Sequence, residues 1–340
     1  MWEKKPEQKS IVFWRAYKHV LKTMEPLKIQ KNVLLKNYTS FKIGGPAEYF
    51  FIVKTKEDLI GAVNFAKEKK IKITILGGGS NLLISDKGVK GLVIKIQNAK
   101  IKIQNDNSKF KIIYIEAGAE LNKLVNFCTE NYLTGFEWAA GIPGGTVGGT
   151  IYGNGQAFGV KISNYLKSVE ALDAKTLKFK NFSKKQCGFS LKNSIFKKNK
   201  NLIIISAAFK FKKSKKSDID KKIKEYIDYR IKRHPLNLPS AGSVFVNPEI
   251  VIKDKKLLEK FPELKEFNKK GVIHAAYLIE RAGLKGKKIG KAQISEKHSN
   301  FIVNTGGAKA KDVLKLIKLA KQKVKKIFNI DLEQEIIWKS

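Results

Sequence analysis

The sequence predicts an α/β protein built from two or three packed units. A chain of 340 residues is long for one compact core. Hydrophobic residues make up 43% of it, enough to bury real cores and too many for a disordered chain. Strand-like and helix-like segments alternate in the first part of the chain, which is typical of α/β sheets.

Hydrophobic periodicity and capping signals locate the elements of the first region. A strand at 49–53 precedes a capping sequence at 55–58, which starts a helix running to about Lys69. A short strand at 71–76 ends in glycines. The stretch 141–159 holds eight glycines in nineteen residues and is predicted to form no regular element. Further strands are predicted at 91–96, 99–104, 110–116, 165–173 and 202–211, with a helix at 120–131.

A lysine-rich run at 210–222 marks the predicted boundary between two domains. It leads into a helix that ends near His234, because Pro235 cannot continue it. We expect an N-terminal extension at 1–30, a domain of two α/β subdomains at 31–212, and a C-terminal domain at 213–340. The elements predicted for the C-terminal domain are helices at about 274–282 and 309–328 and a final strand at 332–338.

The formal net charge of +38 raises the possibility of nucleic-acid binding. The excess is almost entirely lysine, spread along the whole chain, with only four arginines. Proteins that read bases favour arginine for bidentate contacts to guanine. The charge therefore favours a solvated basic surface and an anionic small substrate over specific nucleic-acid binding, and by itself leaves the function open.

Cysteine and hydropathy patterns indicate a reducing compartment. Cys128 and Cys187 lie far apart, and no paired Cys/His spacing occurs, so neither a metal site nor a disulfide framework is predicted. The apolar run at 11–14 is too short for a signal peptide, and no run could span a bilayer. We expect a cytoplasmic protein. A basic amphipathic helix is expected at 11–24, packed on the body or frayed rather than docked on a membrane.

The first glycine motif is Gly77-Gly78-Gly79-Ser80-Asn81, at the end of a predicted strand. Consecutive backbone N–H groups without Cβ atoms can form a nest for a pyrophosphate, and Ser80 and Asn81 can add side-chain hydrogen bonds. The motif is not a dinucleotide fingerprint, because Leu82 stands at the third glycine position. A plain turn remains the alternative for this motif alone.

A second glycine-rich segment changes that balance. A rigid turn is followed by small residues, so a flat cofactor could lie against the backbone with little hindrance. Two such segments in one α/β region predict a large, phosphate-bearing aromatic cofactor. The predicted cofactor-binding residues of this second segment are Gly141, Ile142, Pro143, Gly144, Val147, Gly148 and Gly149.

Several longer motifs follow one another along the chain from about residue 30 to its end. They are Tyr38-Thr39-Ser40-Phe41-Lys42-Ile43-Gly44-Gly45, Leu76-Gly77-Gly78-Gly79-Ser80-Asn81-Leu82-Leu83, Gly135-Phe136-Glu137-Trp138-Ala139-Ala140-Gly141-Ile142-Pro143-Gly144, Pro239-Ser240-Ala241-Gly242-Ser243-Val244-Phe245, Ser295-Glu296-Lys297-His298-Ser299-Asn300-Phe301-Ile302-Val303-Asn304 and Leu332-Glu333-Gln334-Glu335. In this order they resemble the type II subclass of the UDP-N-acetylenolpyruvoylglucosamine reductases.

The resemblance implies a two-subdomain FAD-binding fold of the PCMH/vanillyl-alcohol-oxidase type with a C-terminal α+β substrate domain. It also implies reduction of a UDP-sugar enolpyruvate in peptidoglycan precursor synthesis, with NADPH as hydride donor. Some oxidases of the wider fold tether their flavin to a histidine in the first glycine loop. Ser80 is present in that loop instead, so we expect FAD to be bound non-covalently.

The resemblance also implies three catalytic roles. Ser243 matches the proton donor, and Glu335 matches the C-terminal glutamate, with Glu333 as the fallback. Lys192 stands in the family's arginine position, within Leu191-Lys192-Asn193-Ser194-Ile195-Phe196. Lysine keeps the charge but lacks the planar fork of arginine. Val246 stands where the family usually has lysine. These departures leave a catalytically weakened flavin-binding protein as the alternative.

Overall fold

The computed structural model describes residues 27–104 and 110–340. The helix expected at 11–24, and most of the expected N-terminal extension, lie outside the described residues.

A four-stranded sheet carries the first glycine segment. Its strands lie in the spatial order Gln30–Leu34, Pro46–Val53, Val89–Ile96 and Ile73–Leu76. The first pair is antiparallel and the other two pairs are parallel. Helix Lys56–Glu68 connects two of the strands and begins with the capping box of Thr55 and Asp58, which confirms the predicted helix start.

A second, antiparallel sheet forms the other half of this region. The predicted strand at 110–116 is confirmed, whereas the strand at 178–183 was not predicted, because its sequence is largely polar and exposed. Helix Leu121–Glu130 buries Leu121, Leu124 and Val125 in the shared apolar core. The strands in spatial order are Lys178–Ser183, Leu166–Asp173, Leu202–Lys213, Phe110–Glu116 and Ile101–Gln104, with Leu133–Thr134 paired to Leu202–Lys213.

The prediction that 141–159 contains no regular element is wrong. Residues Val147–Tyr152 form a helix whose N-terminus is capped by the Thr146 hydroxyl, which accepts a hydrogen bond from Gly149 N at 3.4 Å. A Cβ on Gly148 would lie 2.8 Å from that of Ala117. Glycine is therefore used here to bring a helix close to its neighbours, and that packing overrides its low helix propensity. Two two-residue strands follow, Gln156–Ala157 and Val160–Lys161.

The C-terminal part packs helices on a small antiparallel sheet. The long helix Ala310–Phe328 buries Val313, Ile317, Ala320 and Val324, as the helical spacing predicts. The sheet order is Ser240–Ser243, Phe301–Asn304, Ala292–Ile294 and Lys288–Ile289. The other helices are Ile195–Lys198, Lys216–Arg233, Lys255–Lys260, Leu264–Lys270 and Ala275–Arg281, and the 3-10 turns are Leu35–Tyr38, Glu137–Ala139 and Ile162–Asn164. None of the helices in the described ranges is long and apolar enough to cross a bilayer.

The end of the chain returns to the first sheet region. Strand Ile337–Lys339 overlaps only the last two residues of the predicted strand at 332–338, and it pairs in parallel with Leu82–Ile84, directly after the first glycine segment. Phe41, Ile43 and Leu83 belong to the C-terminal apolar cluster. These contacts bring residues near 80, 240 and 335 into one neighbourhood.

Candidate active site

The two predicted glycine segments meet in the folded protein. A Cβ added to Gly78 would lie 1.6 Å from the carbonyl oxygen of Gly144. One added to Gly77 would lie 2.8 Å from Oγ1 of Thr146. Because no side chain fits at either position, the two loops form one continuous backbone surface.

This surface carries a group of unpaired amides. The N–H groups of residues 78–81 and of residues 144–146 find no hydrogen-bond acceptor within the described ranges. Gly79 and Gly144 adopt left-handed backbone angles, with φ of +68° and +64°. Runs of amides in such turns form anion-binding nests. The chemistry therefore fits the phosphates of a dinucleotide such as FAD.

Five other predicted cofactor-binding residues have their amides engaged within the protein. Proline at 143 has no N–H, and Pro143, Gly144 and Gly149 are exposed. The backbone of these residues can form part of the surface on which a cofactor lies, whereas the N–H groups without an acceptor among the described residues are those of residues 144–146. The amide hydrogen bonds are Gly141 to Asn122 Oδ1, Ile142 to Ala139 O, Val147 to Ala119 O, Gly148 to Ala117 O, and Gly149 to Thr146 Oγ1.

The two side chains of the first motif differ in their contacts. Asn81 Nδ2 donates to the carbonyl of Glu335 at 3.3 Å, and the Asn81 carbonyl accepts from Ile337 N at 3.0 Å. Asn81 thus ties the glycine segment to the C-terminal strand. The Ser80 hydroxyl is half-buried and has no partner in the part of the chain described.

Lys192 and Glu335 form an ion pair at 2.6 Å, with side-chain exposures of 20% and 18%. Lys192 lies at the tip of a tight turn closed by mutual backbone hydrogen bonds between Ser190 and Asn193, and it has a φ of +51°. Glu333 is exposed, and its carbonyl accepts from Val246 N. Of the two C-terminal glutamates, Glu335 is the one that meets the lysine.

Ser243 lies beside the same C-terminal segment. The carbonyl of the next residue, Val244, accepts a hydrogen bond from Glu335 N at 2.8 Å. The side chain of Asn300 fixes the segment that follows strand Ser240–Ser243, because it forms hydrogen bonds with both the N–H and the carbonyl of Phe245, at 2.9 and 2.8 Å. The half-buried Ser243 hydroxyl has no protein partner among described residues. The structure therefore brings all three predicted catalytic residues into one region.

Two side chains join the turn of Lys192 to the second glycine segment. Ser194 Oγ donates to the carbonyl of Tyr152, the last residue of the glycine-rich helix, at 2.8 Å. The buried Asn154 donates through Nδ2 to the carbonyl of Ser190 at 3.0 Å. The cation of the candidate site is thus held by the same loop that carries the glycines.

Sequence reasoning missed two cations that support the glycine segments. Lys95 is half-buried, and its ammonium donates to the carbonyl of Gly77. Burial lowers the pKa of Lys95, while the nearby Glu120 acts in the opposite direction. Arg230 is buried and donates to the carbonyls of Trp138 and Ala140, at 2.7 and 2.8 Å. Nothing in the sequence distinguishes Lys95 from the many other lysines, and no local pattern indicates a role for Arg230.

Sequence comparison identifies both halves of the chain. Residues 47–176 match the family described as FAD binding domain. Residues 234–338 match the C-terminal domain of UDP-N-acetylenolpyruvoylglucosamine reductase. The helix Lys216–Arg233, which contains Arg230, lies between the two matched ranges.

Whole-chain relatives agree with these matches. The chain is 37% identical over 310 residues to the UDP-N-acetylenolpyruvoylglucosamine reductase of Clostridium novyi, covering 91% of both chains. It is 38% identical over 309 residues to that of Fervidobacterium nodosum, covering 91% of both. The crystal structure of the reductase from Thermus caldophilus aligns with a TM-score of 0.72 at 29% identity, covering 93% of this chain and 100% of that one. The chain belongs to the UDP-N-acetylenolpyruvoylglucosamine reductase family.

Proposed function

We propose that this chain reduces the enolpyruvyl group of UDP-N-acetylenolpyruvoylglucosamine to the lactyl ether of UDP-N-acetylmuramate, with NADPH as reductant and FAD as cofactor. The observation that carries the proposal is the convergence of Lys192, Glu335 and Ser243 beside the paired glycine segments. These residues are distant in sequence, and their arrangement supplies a cation, a carboxylate and a hydroxyl in one place.

Each residue has a role in this proposal. When bound, FAD would supply the hydride, with NADPH as the source of the reducing equivalents. The free amides of residues 78–81 and 144–146 bind the FAD phosphates. Hydride addition to the terminal vinyl carbon puts negative charge on the neighbouring carboxylate of the substrate, and Lys192 stabilises that charge. Ser243 then donates a proton to the adjacent carbon.

Serine is a weak acid in water, so its role depends on placement. An enolate-like intermediate is basic enough to take the hydroxyl proton when the two groups are held close. Ser243 belongs to a strand anchored on both sides by Asn300 and the Glu335 segment. This anchoring supports the assignment of Ser243 as proton donor.

Glu335 orients Lys192 in the resting protein. The pair is largely shielded from water, which strengthens their attraction compared with an exposed pair. The ammonium has three donors, so it can keep its bond to Glu335 while contacting a substrate carboxylate. A lysine can therefore serve as a point charge in the family's arginine position.

A catalytically weakened flavin-binding protein is the second candidate. One observation favours it: Glu335 already holds the Lys192 ammonium at 2.6 Å, which offsets its charge. The two candidates share the cofactor and differ in whether the sugar nucleotide oxidises the reduced flavin.

A half-reaction experiment tests the proposal. The purified protein is expected to carry FAD that acid precipitation releases completely, since Ser80 replaces a tethering histidine. Anaerobic NADPH should bleach the flavin, and UDP-N-acetylenolpyruvoylglucosamine should restore its absorbance while forming UDP-N-acetylmuramate. Bleaching without restoration would favour the weakened protein. A colourless protein that binds no added FAD would contradict both candidates.

We further propose that the protein works in the cytoplasm, where NADPH and sugar nucleotides are available. Both cysteines are buried and unpaired in the structure, which is compatible with a reducing compartment. The UDP-sugar is the anionic small partner expected from the basic surface.

A further inference from the structure

Lys95 lies beside the first glycine segment and supports its backbone. It lies on strand Val89–Ile96, where it pairs with Leu76, the residue just before the glycines. Its side chain reaches forward to donate to the carbonyl of Gly77. The carboxylate of Glu120 acts on its charge without forming a direct ion pair. Glu120 in turn forms an isolated bridge with Thr146, in the second glycine segment.

The hydrogen bond from Lys95 has a geometric consequence. The Gly77–Gly78 peptide is trans, and in a trans peptide the C=O and the N–H point in opposite directions. Holding the Gly77 carbonyl toward Lys95 therefore turns the N–H of Gly78 away from it. That N–H is the first of the four consecutive amides with no acceptor among the residues described.

The charge of Lys95 has a second consequence. The ammonium is half-buried, so water screens its charge only partly. Glu120, the carboxylate that raises its pKa, is exposed and therefore better screened. A positive charge thus remains on the carbonyl side of the Gly77–Gly78 peptide, behind the Gly78 amide.

We propose that Lys95 is a positioning residue for the pyrophosphate of FAD, which turns the Gly78 amide toward the phosphates and holds a positive charge behind the first glycine segment. This inference rests on the proposed cofactor. It assigns a role to a lysine that touches no substrate, and it predicts that Lys95 discriminates phosphate-bearing ligands from phosphate-free ones.

The test compares two ligands on the flavin-free protein. Dissociation constants for FAD and for riboflavin are measured by flavin fluorescence for wild type, Lys95→Met and Lys95→Arg. Lys90→Met is the matched control, because Lys90 lies on the same strand and is exposed. Lys95→Met should weaken FAD binding roughly tenfold or more while leaving riboflavin binding nearly unchanged. Lys95→Arg should retain the preference for FAD, and Lys90→Met should behave like wild type.

A purely structural role for Lys95 would weaken both ligands by the same factor, and that result would overturn the inference. Unchanged FAD affinity in Lys95→Met would overturn it as well. If Lys95→Met does not fold, Lys95→Gln is measured on the same ligands, and the same loss of preference is expected. A wild-type protein that binds neither ligand would instead contradict the proposed function itself.

Discussion

Replacing Gly78 with alanine is the most direct test of the paired glycine segments. The new Cβ would lie 1.6 Å from the carbonyl oxygen of Gly144, whereas ordinary van der Waals contact begins at 3.4 Å. The obstacle is backbone rather than a flexible side chain, so the two segments must move apart by about 1.8 Å. Moving two amides out of reach of a phosphate would lose two hydrogen bonds to a charged group, worth about 1.5 kcal/mol or more each, and about 1.4 kcal/mol is a tenfold change in dissociation constant. We therefore expect the dissociation constant of FAD to rise by about 100-fold or more.

Gly153→Ala provides the matched control. Gly153 follows the same glycine-rich helix, has a φ of −98°, and an added Cβ there would meet nothing within 4 Å. Binding is measured by fluorescence titration of the flavin-free proteins, with circular dichroism to establish that both variants are folded. FAD binding in Gly78→Ala equal to that of Gly153→Ala would refute the assignment of the paired segments as the phosphate site.

Four further predictions concern the remaining residues. Ser243→Ala should slow oxidation of the reduced flavin by the sugar nucleotide roughly 10²–10⁴-fold in stopped-flow assays, and unchanged product formation would remove Ser243 as the donor. Lys192→Ala should slow the same step roughly 10²-fold or more and leave reduction of the flavin by NADPH unchanged. Lys192→Arg should keep or raise the rate of that step. Near wild-type rates in both variants would exclude a catalytic Lys192. Arg230→Lys should lower the free energy of unfolding in urea by about 2 kcal/mol or more, because the planar Arg230 guanidinium donates to two backbone carbonyls in a buried position. As the control, Arg281→Lys at an exposed position should change this free energy by about 0.5 kcal/mol or less. Burial and the nearby charges of His298, Arg230 and Lys297 lower the pKa of His234 from 6.5 to about 4, so its stabilising contribution is complete above pH 6.5 and is lost as the pH falls toward 4. His234→Gln should therefore lose less thermal stability than wild type between pH 7 and pH 5. An equal loss in both proteins would contradict the lowered pKa.

Local chemistry in the sequence determined much of the architecture. The capping box at Thr55 and the apolar spacing of Ala310–Phe328 act within a few residues, and both appear in the structure as predicted. The same local logic failed for Val147–Tyr152, where glycines favour irregular backbone. There the gain comes from close contact with Ala117, and a residue far away in sequence leaves no local signal.

Motif resemblance identified the family and predicted the separate parts of the candidate site, but not how those parts meet. Pairing of Ile337–Lys339 with Leu82–Ile84 places Glu335, rather than Glu333, opposite Lys192. Side chains alternate direction along an extended chain, so two residues that are two positions apart point to the same side and alternation does not distinguish them. The choice between them depends on local twist and on partner segments that only the folded chain defines.

Lys95 shows the same limit most clearly. In a chain with 68 basic residues, its identity carries no information. Its role follows from a strand register that places it beside Leu76, and from partial burial that reduces the screening of its charge by water. The sequence by itself determined the fold class, the family and the glycine backbone that can approach a cofactor. Only the tertiary structure decided which charges stand behind that backbone, because the strength of a charge depends on the distances and the solvent that folding sets.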